Sequence, residues 1–345
     1  MKISICIPHY NRIGFLRIVL ASIAEQTYKN IEVIVSDDCS TDDSERVLSS
    51  IQASFPFPLV YERQISNIGY DANLRRSLEL ATGDYLFVLG NDDALVDHQS
   101  IDELVSFISR AGSPGLLTCN YREYSDESIV YRRVQEESLV AGTIEAAMNN
   151  YSCFSFVAGI GFRRDVFQEV NTVDHDGSIY VQIYMAVMAM LKGYELLKIE
   201  KPLVAKDVTL QSEKSNSYRD KIQRNWSGDL SPVTGGMPQV IAVFFDAIDR
   251  IGVNDVVHWK QALAAKIYST TYPFWLLDYR RNKALPEAFR LMKGMRPVSN
   301  REVLGPALTQ KLKLIYLRST IGGLLFPVKL FNRMEGWLYS KFKGK

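Results

Sequence analysis

Two adjacent carboxylates, Asp92 and Asp93, follow the apolar run YLFVLG at residues 85–90 and the polar residue Asn91. Neighbouring carboxylates repel each other, so a partner must favour keeping them together. One interpretation is a turn that leads into a helix. The other is a divalent cation, because Mg²⁺ and Mn²⁺ take hard oxygen ligands and often combine one or two protein carboxylates with phosphate oxygens. The rest of the sequence has to decide between the two.

Three further groups of polar residues stand directly after apolar, strand-like runs. They are Pro8, Tyr10, Asn11 and Arg12 after the first run, Asp37 and Asp38 after the second, and Asn67, Gly69 and Asn73 after the third. A single group of this kind is more often a helix cap than a site. Four groups at successive strand ends predict one shared site, because ligands bind at the carboxyl ends of parallel strands.

The chemistry of these groups favours a nucleotide-diphosphate ligand. Asp37 and Asp38 would accept hydrogen bonds from a base N–H or from ribose hydroxyls. Asn91 would make a further contact with the same ligand. A cation held by Asp92 and Asp93 would neutralise a departing diphosphate. A Rossmann dinucleotide site is disfavoured, because PHYNRIGF after the first strand lacks the pattern G-x-G-x-x-G.

The elements that must position these groups alternate along the first half of the chain. The runs ISICIP (3–8), IEVIVS (31–36) and YLFVLG (85–90) predict strands, with PLVYE (58–62) as a weaker fourth. Apolar residues at 16, 19, 20 and 23 share one helical face. This alternation predicts an α/β fold, a Rossmann-like and mostly parallel sheet flanked by helices.

Local signals place the helix ends. Ser40-x-x-Asp43 and Ser100-x-x-Glu103 match capping boxes that open helices. Gly83 matches the left-handed terminator of a helix over about residues 71–81. A nearly uniformly apolar stretch, 178–193, predicts a buried helix that ends at Gly193.

The pattern of the remaining chain predicts three regions. Residues 1–206 form the expected catalytic domain, with a nucleotide-binding half at about 1–110 and an acceptor half at about 111–206. The polar stretch 207–236 predicts a flexible loop or linker. Residues 237–345 predict a helical C-terminal region.

The composition excludes several classes of protein. The 345 residues are 47% hydrophobic and 23% charged, which is typical of a globular protein with a core. A net charge of +1 gives no reason to expect nucleic-acid binding. The four cysteines form no C-x-x-C pair, which disfavours a zinc site and suits a reducing cytoplasm. The sequence shows neither a secretory signal nor an apolar run long enough to cross a bilayer.

The motifs ISICIPHYNR, IEVIVSDDCSTDDS, NIGYDAN and YLFVLGNDD resemble those of family 2 glycosyltransferases with the GT-A fold. The resemblance is close over about the first 110 residues and looser to about residue 205. It implies that Pro8, Tyr10, Asn11 and Arg12 line a nucleotide pocket. It also implies that Asp37 and Asp38 hold base and ribose, and that Asp92 is the metal-coordinating last residue of the D-x-D motif. The family usually reads Asp-x-Asp-Asp here, whereas this chain has Gly90 in place of the first carboxylate.

The catalytic base is a second departure from the family pattern. Inverting members usually carry an acidic pair near the start of a helix that ends in Lys-Gly-Tyr. LKGYELL at 191–197 ends such a helix, but Val181-Gln182 stands where the pair is expected. The nearest acids are Asp174 and Asp176, and we take Asp176 as the candidate base. The alternatives are that both acids only flank a turn at Gly177, or that His175 acts instead.

The C-terminal segment 311–345 mixes basic and apolar residues. Its cations are Lys311, Lys313, Arg318, Lys329, Arg333, Lys341, Lys343 and Lys345, against the single acid Glu335, and its rings include Phe326, Phe331, Trp337, Tyr339 and Phe342. Such segments lie at membrane surfaces rich in anionic lipid. A helix that packs its apolar face on the protein explains the pattern equally well.

The sequence thus predicts a glycosyltransferase with a divalent cation, Mg²⁺ or Mn²⁺. It would move a sugar from a nucleotide-diphosphate donor to a glycan or lipid-linked acceptor in bacterial surface-polysaccharide assembly, such as O-antigen or capsule. It would work in the cytoplasm at the inner face of the membrane and bind no nucleic acid. The alternatives are a sugar-1-phosphate nucleotidyltransferase and a catalytically silent nucleotide-sugar-binding protein.

Overall fold

The computed structural model describes residues 1–210, 213–214 and 237–334 of the chain. The chain divides into two compact units, Met1–Ser217 and Tyr218–Lys345. Most of the predicted linker 207–236 lies outside the described residues. Its described beginning includes a short antiparallel pair, Thr209–Leu210 with Glu213–Lys214.

Within the described residues, the first unit is built on a ten-stranded sheet. In chain order the strands are β1 (Ile3–His9), β2 (Ile31–Asp37), β3 (Leu59–Arg63), β4 (Tyr85–Val88), β5 (Ala94–Leu95), β6 (Leu116–Glu123), β7 (Val130–Tyr131), β8 (Ser138–Val140), β9 (Ile160–Arg163) and β10 (Leu196–Lys206). Their order is β3-β2-β1-β4-β9-β6-β10-β5, with β7 on β6 and β8 on β10. Strands β3, β2, β1 and β4 are parallel, whereas β9 lies antiparallel between β4 and β6. The predicted fold class is confirmed.

Amphipathic helices cover this sheet. They are α1 (Ile13–Ala24), α2 (Ser44–Ile51), α3 (Tyr70–Glu79), α4 (Ser100–Arg110), α5 (Ile144–Asn150), α6 (Arg164–Val170) and α7 (Val181–Leu191). The predicted apolar face of α1, which includes Leu16 and Ile23, is fully buried. Helix α7 is buried from Val181 to Met190, as its uniformly apolar sequence predicts. Burial on both faces explains why strands β1, β2 and β4 are mostly apolar.

Three of the predicted helix-end signals are wrong. Helix α3 already ends at Glu79, and Gly83 is needed for close packing, since a Cβ there would lie 2.5 Å from Ser4 Oγ and 2.8 Å from the Lys2 carbonyl oxygen. Helix α4 begins at Ser100 itself, so Ser100 is not its N-cap. Helix α2 begins at residue 44, after the predicted cap at Ser40.

The described part of the second unit is helical, as predicted. Its helices are α8 (Met237–Ile251), α9 (Val256–Lys266), a π-helical turn (Ile267–Thr271), α10 (Tyr272–Arg281), α11 (Leu285–Gly294), α12 (Arg301–Leu325) and α13 (Val328–Met334). Helix α12 is kinked at Gly305, where φ is 73° and Pro306 follows. Among the described residues, no single helix is long and apolar enough to cross a membrane, and α12 and α13 reach that composition only as a pair bent by 97°.

Candidate functional site

The polar groups after β1, β2, β3 and β4 meet at one edge of the sheet. His9, which ends β1, is in register with Asp37, which ends β2. Asn73 donates to the His9 carbonyl oxygen (3.1 Å), and Asn91 donates to His9 Nδ1 (3.2 Å). Burial lowers the pKa of His9 to about 4, so the ring is neutral and its Nε2–H faces Ser44 Oγ at 2.7 Å. The predicted convergence of these groups is therefore observed, with a buried histidine at its centre.

The loop after β1 passes through two left-handed residues before α1 begins. Asn11 has a φ of 54° and Arg12 a φ of 63°, a conformation that non-glycine residues rarely adopt and that is enriched at functional sites. The N–H of Asn11 donates to Ser40 Oγ (2.7 Å). The side-chain oxygen of Asn11 accepts from the N–H of Thr41 (2.8 Å). Pro8 lies within β1, and the side chain of Tyr10 is 46% exposed.

Asp37 is fully buried and organises the loop that follows it. Its carboxylate accepts from the Ser40 N–H (3.0 Å), the Ser40 hydroxyl (2.5 Å) and the Tyr61 hydroxyl (2.8 Å). Burial, together with the bond to Asp37, raises the pKa of Tyr61. Ser40 therefore serves this loop and not the cap of α2, which is why the predicted capping box is wrong.

Asp38 connects the second strand end to the start of α3. Its two oxygens accept from the N–H groups of Ile68 (2.6 Å) and Gly69 (3.1 Å), and its carbonyl oxygen accepts from the Asn67 side chain (3.2 Å). Burial raises the pKa of Asp38 despite these bonds. The predicted pocket residues Asp38, Asn67 and Gly69 thus form one unit, and any bond from a nucleotide would add to the two that the carboxylate already accepts.

Asp92 joins the end of β4 to the end of β1 through an ion pair with Arg12. The two side chains are 18% and 20% exposed, respectively, so the pair is accessible from the site. The Asp92 carbonyl oxygen also accepts from the Val208 N–H (2.9 Å). The site therefore presents a carboxylate and a guanidinium side by side.

Asp93 points inward instead and is 4% exposed. It accepts from the Asp207 N–H (3.1 Å). Burial and the neighbouring charges of Asp92 and Asp207 raise its pKa well above the usual value. A Cβ on Gly90 would lie 2.3 Å from Asp93 Oδ2. In this conformation Asp93 occupies the space beside Gly90, so a side chain at position 90 would require the Asp93 carboxylate to shift.

A charged group on β10 completes this edge and was missed by the sequence analysis. Lys206 forms ion pairs with Asp207 and with Glu123 (3.4 Å), and its Nζ lies 4.6 Å from the centre of the Tyr131 ring. These charges, Asp207 first, raise the pKa of Lys206 against the effect of burial. The group comes together because β10 pairs with β5 and β6, long-range contacts that no local motif signals. Asp207 belongs to this edge, whereas the sequence analysis assigned it to the linker.

The candidate base Asp176 lies in the segment 173–180, directly before α7. Its carboxylate accepts two hydrogen bonds from Arg75. Arg75 Nε donates to Oδ1 and Nη2 donates to Oδ2, each at 2.8 Å. Of the alternatives, His175 lies with its ring 4.1 Å from the Tyr184 ring, and the N–H of Asp174 donates to Thr172 Oγ1 (3.2 Å). Asp176 is thus committed to an ion pair here, and its role as base stays a prediction.

The residues at this edge fit a cation only together with a phosphate ligand. The described residues contain no group of three or more His, Cys, Asp or Glu side chains that could hold a metal. Asp92 supplies one accessible carboxylate, and Asp93 is engaged below it. Mg²⁺ commonly takes one or two protein carboxylates and completes its shell with phosphate oxygens and water. Asp92 therefore suits a cation that arrives with a diphosphate.

Comparison with known proteins agrees with this architecture. Residues 4–170 match the family model described as Glycosyl transferase family 2. Abequosyltransferase RfbV of Salmonella typhimurium is 29% identical over an alignment of length 225, which covers 59% of this chain and 66% of the relative. GalNAc(5)-diNAcBac-PP-undecaprenol beta-1,3-glucosyltransferase of Campylobacter jejuni is 33% identical over 95 residues, 28% of this chain and 31% of the relative. The match thus spans less than two thirds of the length of either relative.

Solved structures share the fold. S. aureus TarS 1-349 in complex with UDP-GlcNAc superposes with a TM-score of 0.64 at 16% identity, over 97% of this chain and 92% of that one. Mannosyltransferase PcManGT from Pyrobaculum calidifontis, in complex with GDP-Man and Mn²⁺, gives a TM-score of 0.53 at 16% identity, over 98% and 84%. By this family match and these relatives, residues 4–170 form a family 2 glycosyltransferase domain.

Proposed function

We propose that the protein transfers a glycosyl unit from a nucleotide-diphosphate sugar to a hydroxyl of a glycan or lipid-linked acceptor. The observation that carries the proposal is the accessible Arg12–Asp92 pair at the meeting point of β1 and β4. A guanidinium binds phosphate oxygens in a fixed geometry, and a neighbouring carboxylate can hold a cation on the same diphosphate. The two groups together suit a leaving group that gains negative charge during the reaction.

The nucleoside would lie between the loops after β1 and β2 and the start of α3. Tyr10 is exposed at this edge and offers a ring to a base, while Asp38 and Gly69 form the opposite wall. Because Asp37 and Asp38 already accept several hydrogen bonds, they act mainly by shaping this pocket. Complexes of fold relatives with UDP-GlcNAc and GDP-Man support a nucleotide-sugar donor of this type.

In the proposed reaction the acceptor oxygen forms a bond to the anomeric carbon as the bond from that carbon to the diphosphate breaks. Arg12 offsets the charge that develops on the diphosphate. A Mg²⁺ or Mn²⁺ ion at Asp92 would add Lewis-acid stabilisation of the same leaving group. The acceptor proton would pass to the Asp176 carboxylate, which in this conformation is paired with Arg75.

Names of relatives support a surface-glycan acceptor. One relative is an abequosyltransferase, and the printed name of another describes glucosyl transfer onto a glycan on undecaprenyl diphosphate. We extend that acceptor class to this chain. Work at the inner face of the cytoplasmic membrane, in O-antigen or capsule assembly, follows from the same proposal.

Helix α12 offers a surface that would hold the protein near such an acceptor. Its apolar residues Leu314, Leu317, Ile321 and Leu325 are exposed and recur on one helical face, opposite the buried Leu308 and Leu312. Exposed cations accompany this stripe: Lys311, Lys313 and Arg318 on α12, and Lys329 and Arg333 on the following helix α13. We propose that this face rests on anionic lipid.

Part of the predicted membrane segment needs correction. Phe331 is fully buried, with its ring 5.3 Å from that of Phe274, so it is not an interfacial anchor. Residues 335–345, with Trp337, Tyr339 and Phe342, lie outside the described residues. Vesicle flotation of Leu317→Glu against wild type tests the remaining face, and equal flotation of both proteins would refute it.

A panel of UDP-, GDP- and CDP-sugars with Mn²⁺ or Mg²⁺, scored for release of the nucleoside diphosphate, tests the transferase itself. Turnover of one donor that is lost in Asp92→Asn is the expected result. Release of a sugar 1-phosphate together with a nucleoside triphosphate, when pyrophosphate is added, would favour the nucleotidyltransferase alternative. Tight nucleotide binding without turnover, even with bacterial glycolipid extract as acceptor, would identify a silent binding protein.

A further inference from the structure

Helix α3 contacts both sides of the proposed site through different residues. On the donor side, Gly69 at its N-cap donates to Asp38, and Asn73 donates to the His9 carbonyl oxygen. On the other side, Asp71 and Arg75 bind the segment 173–180, which we call the acceptor-side loop. The two groups alternate along the first turns of one helix, so a rigid element connects the two sides.

The acceptor-side loop includes backbone conformations that are intrinsically unfavourable. Ile179 has a φ of 60°, which is a true outlier for a β-branched residue and costs roughly 1–3 kcal/mol. Gly177 also has a positive φ, of 89°. Such a conformation persists only where the surroundings determine it. Here the carboxylate of Asp71 does so, because it accepts from the N–H groups of Ile179 (2.6 Å) and Val181 (3.3 Å).

Arg75 holds the same loop one helical turn further along α3. Its guanidinium binds both oxygens of Asp176 at 2.8 Å, and it also donates to Glu79 (2.8 Å) and to the Asn171 side chain (3.1 Å). The side chain of Arg75 is 8% exposed, against 27% for Asp176. A buried bidentate pair fixes orientation as well as distance. The loop is therefore tied at its middle and at its junction with α7, and Arg75 also binds Asn171 just before the loop.

We propose that Asp71 and Arg75 are positioning residues that clamp the acceptor-side loop to α3, and that Asp176 belongs to this clamp. The clamp holds the loop in register with the donor pocket, so that an acceptor meets the bound donor in a reactive arrangement. The role of the clamp in acceptor placement rests on the proposed transferase function. The clamp's hold on the loop is independent of that function.

The clamp and the donor pocket use separate residues, which makes the proposal testable. Loss of Asp71 or Arg75 leaves the contacts of Gly69 and Asn73 in place, so nucleotide binding should change by less than about twofold. The acceptor-side loop should loosen, and transfer should fall because misplacement of a reactant by about 1 Å costs on the order of 10²-fold. A purely structural role would weaken binding and transfer together.

Hydrogen–deuterium exchange of peptides within 173–182 tests the hold on the loop without any substrate. In Asp71→Asn the new amide faces two N–H donors with only one acceptor, and Arg75→Ala removes the guanidinium. We expect exchange of the loop to accelerate about tenfold in both variants, with β1 and β2 unchanged. Arg76→Ala is the matched control, since Arg76 lies on the same helix but pairs with Glu62.

The second arm measures nucleotide binding and transfer in the same variants. Calorimetry with UDP, GDP and CDP in Mn²⁺ should give unchanged affinities, while kcat/KM for the acceptor falls and Arg75→Lys recovers part of it. If Arg75→Ala does not fold, Arg75→Lys and Asp71→Asn carry both arms. Unchanged loop exchange overturns the clamp. Faster loop exchange with unchanged transfer overturns its catalytic purpose, and absence of transfer in wild type refutes the proposed function alone.

Discussion

The donor edge and the acceptor-side loop are built in different ways. At the donor edge, side-chain carboxylates and amides accept from backbone N–H groups in neighbouring strand-end loops, as Asp38 accepts from Gly69 and Asn11 from Thr41. The acceptor-side loop is held by α3, about a hundred residues away in the sequence, through Asp71 and Arg75. The donor edge is held by hydrogen bonds between residues of its own motifs, whereas the conformation of the acceptor-side loop is held by side chains of α3.

Removal of the Asp92 carboxylate should have the largest effect and act on the donor edge alone. We expect Asp92→Asn to lower kcat by about 10³-fold, because it removes a charge that acts on the leaving group. The fold should survive, since a partly exposed pair contributes little to stability. Turnover with matched thermal melts measures both, and the exposed Asp43→Ala serves as control. A variant that keeps most of its activity would move the leaving-group contacts elsewhere.

Restoration of the carboxylate usual in the family should harm the protein. Gly90→Asp places a side chain 2.3 Å from Asp93 Oδ2 and adds a third acid to the cluster. We expect a loss of about 2–3 kcal/mol in the free energy of unfolding, from overpacking and charge repulsion. Urea unfolding measures it, and the same change in an Asp93→Ala background should cost less. Equal costs in the two backgrounds would show that Asp93 is not the obstacle.

The pH dependence of stability probes the acceptor side. Burial raises the pKa of Asp71 to about 6, and the charge of Asp176 adds a smaller effect in the same direction. Hydrogen bonds from the N–H groups of the loop oppose the rise. Other titratable or charged groups near Asp71 on α3 are Tyr70 and Arg75. A group whose pKa is higher when folded takes up its proton first in the folded state, so its contribution to stability grows as pH falls below 6 and fades as pH rises through it. Relative to Asp71→Asn, wild type should gain about 2 kcal/mol in unfolding free energy between pH 7 and pH 4.5.

Urea melts of both proteins at the two pH values provide the measurement. The variant removes the titrating carboxyl and keeps every other group, so the difference between the two proteins isolates Asp71. A difference that stays constant with pH would mean that the carboxyl titrates normally and is less buried than its 1% exposure indicates.

The smallest expected effect concerns the pocket wall. Asp38→Ala leaves the N–H groups of Ile68 and Gly69 without their acceptor, which should shift the start of α3. We expect nucleotide affinity to fall by about tenfold with a smaller change in turnover, because the pocket lies away from the reacting carbon. Calorimetry and steady-state kinetics separate the two quantities. A loss confined to turnover would place Asp38 nearer the chemistry than its contacts indicate.

The contrast between the two regions also explains what the sequence can predict. Alternating strands and helices predict the sheet, and polar residues at successive strand ends predict the donor edge, because both signals are local. The buried α7 is predictable for the same reason. Ser40 misleads because its hydroxyl has a better partner in Asp37 than in the helix, and Gly83 misleads because its constraint comes from β1.

The remaining parts depend on contacts between distant residues. Asp207 reaches Asp93 only because β10 runs beside β5 and β6, and Arg75 meets Asp176 across about one hundred positions. Asp176 was a reasonable candidate from sequence as the acid nearest to α7. Its pairing with Arg75 depends on the side of α3 that faces the loop, which single-sequence periodicity does not define.

The contact between Gly90 and Asp93 has an evolutionary consequence. While Asp93 fills the space beside position 90, a mutation that restores the family's first carboxylate meets an occupied volume and is disfavoured when it occurs alone. Restoring that carboxylate would require the Asp93 side chain to move, and such a movement disturbs the bond to Asp207. Because the family pattern has acids at both positions, reversion requires a different placement of the Asp93 side chain and not its loss.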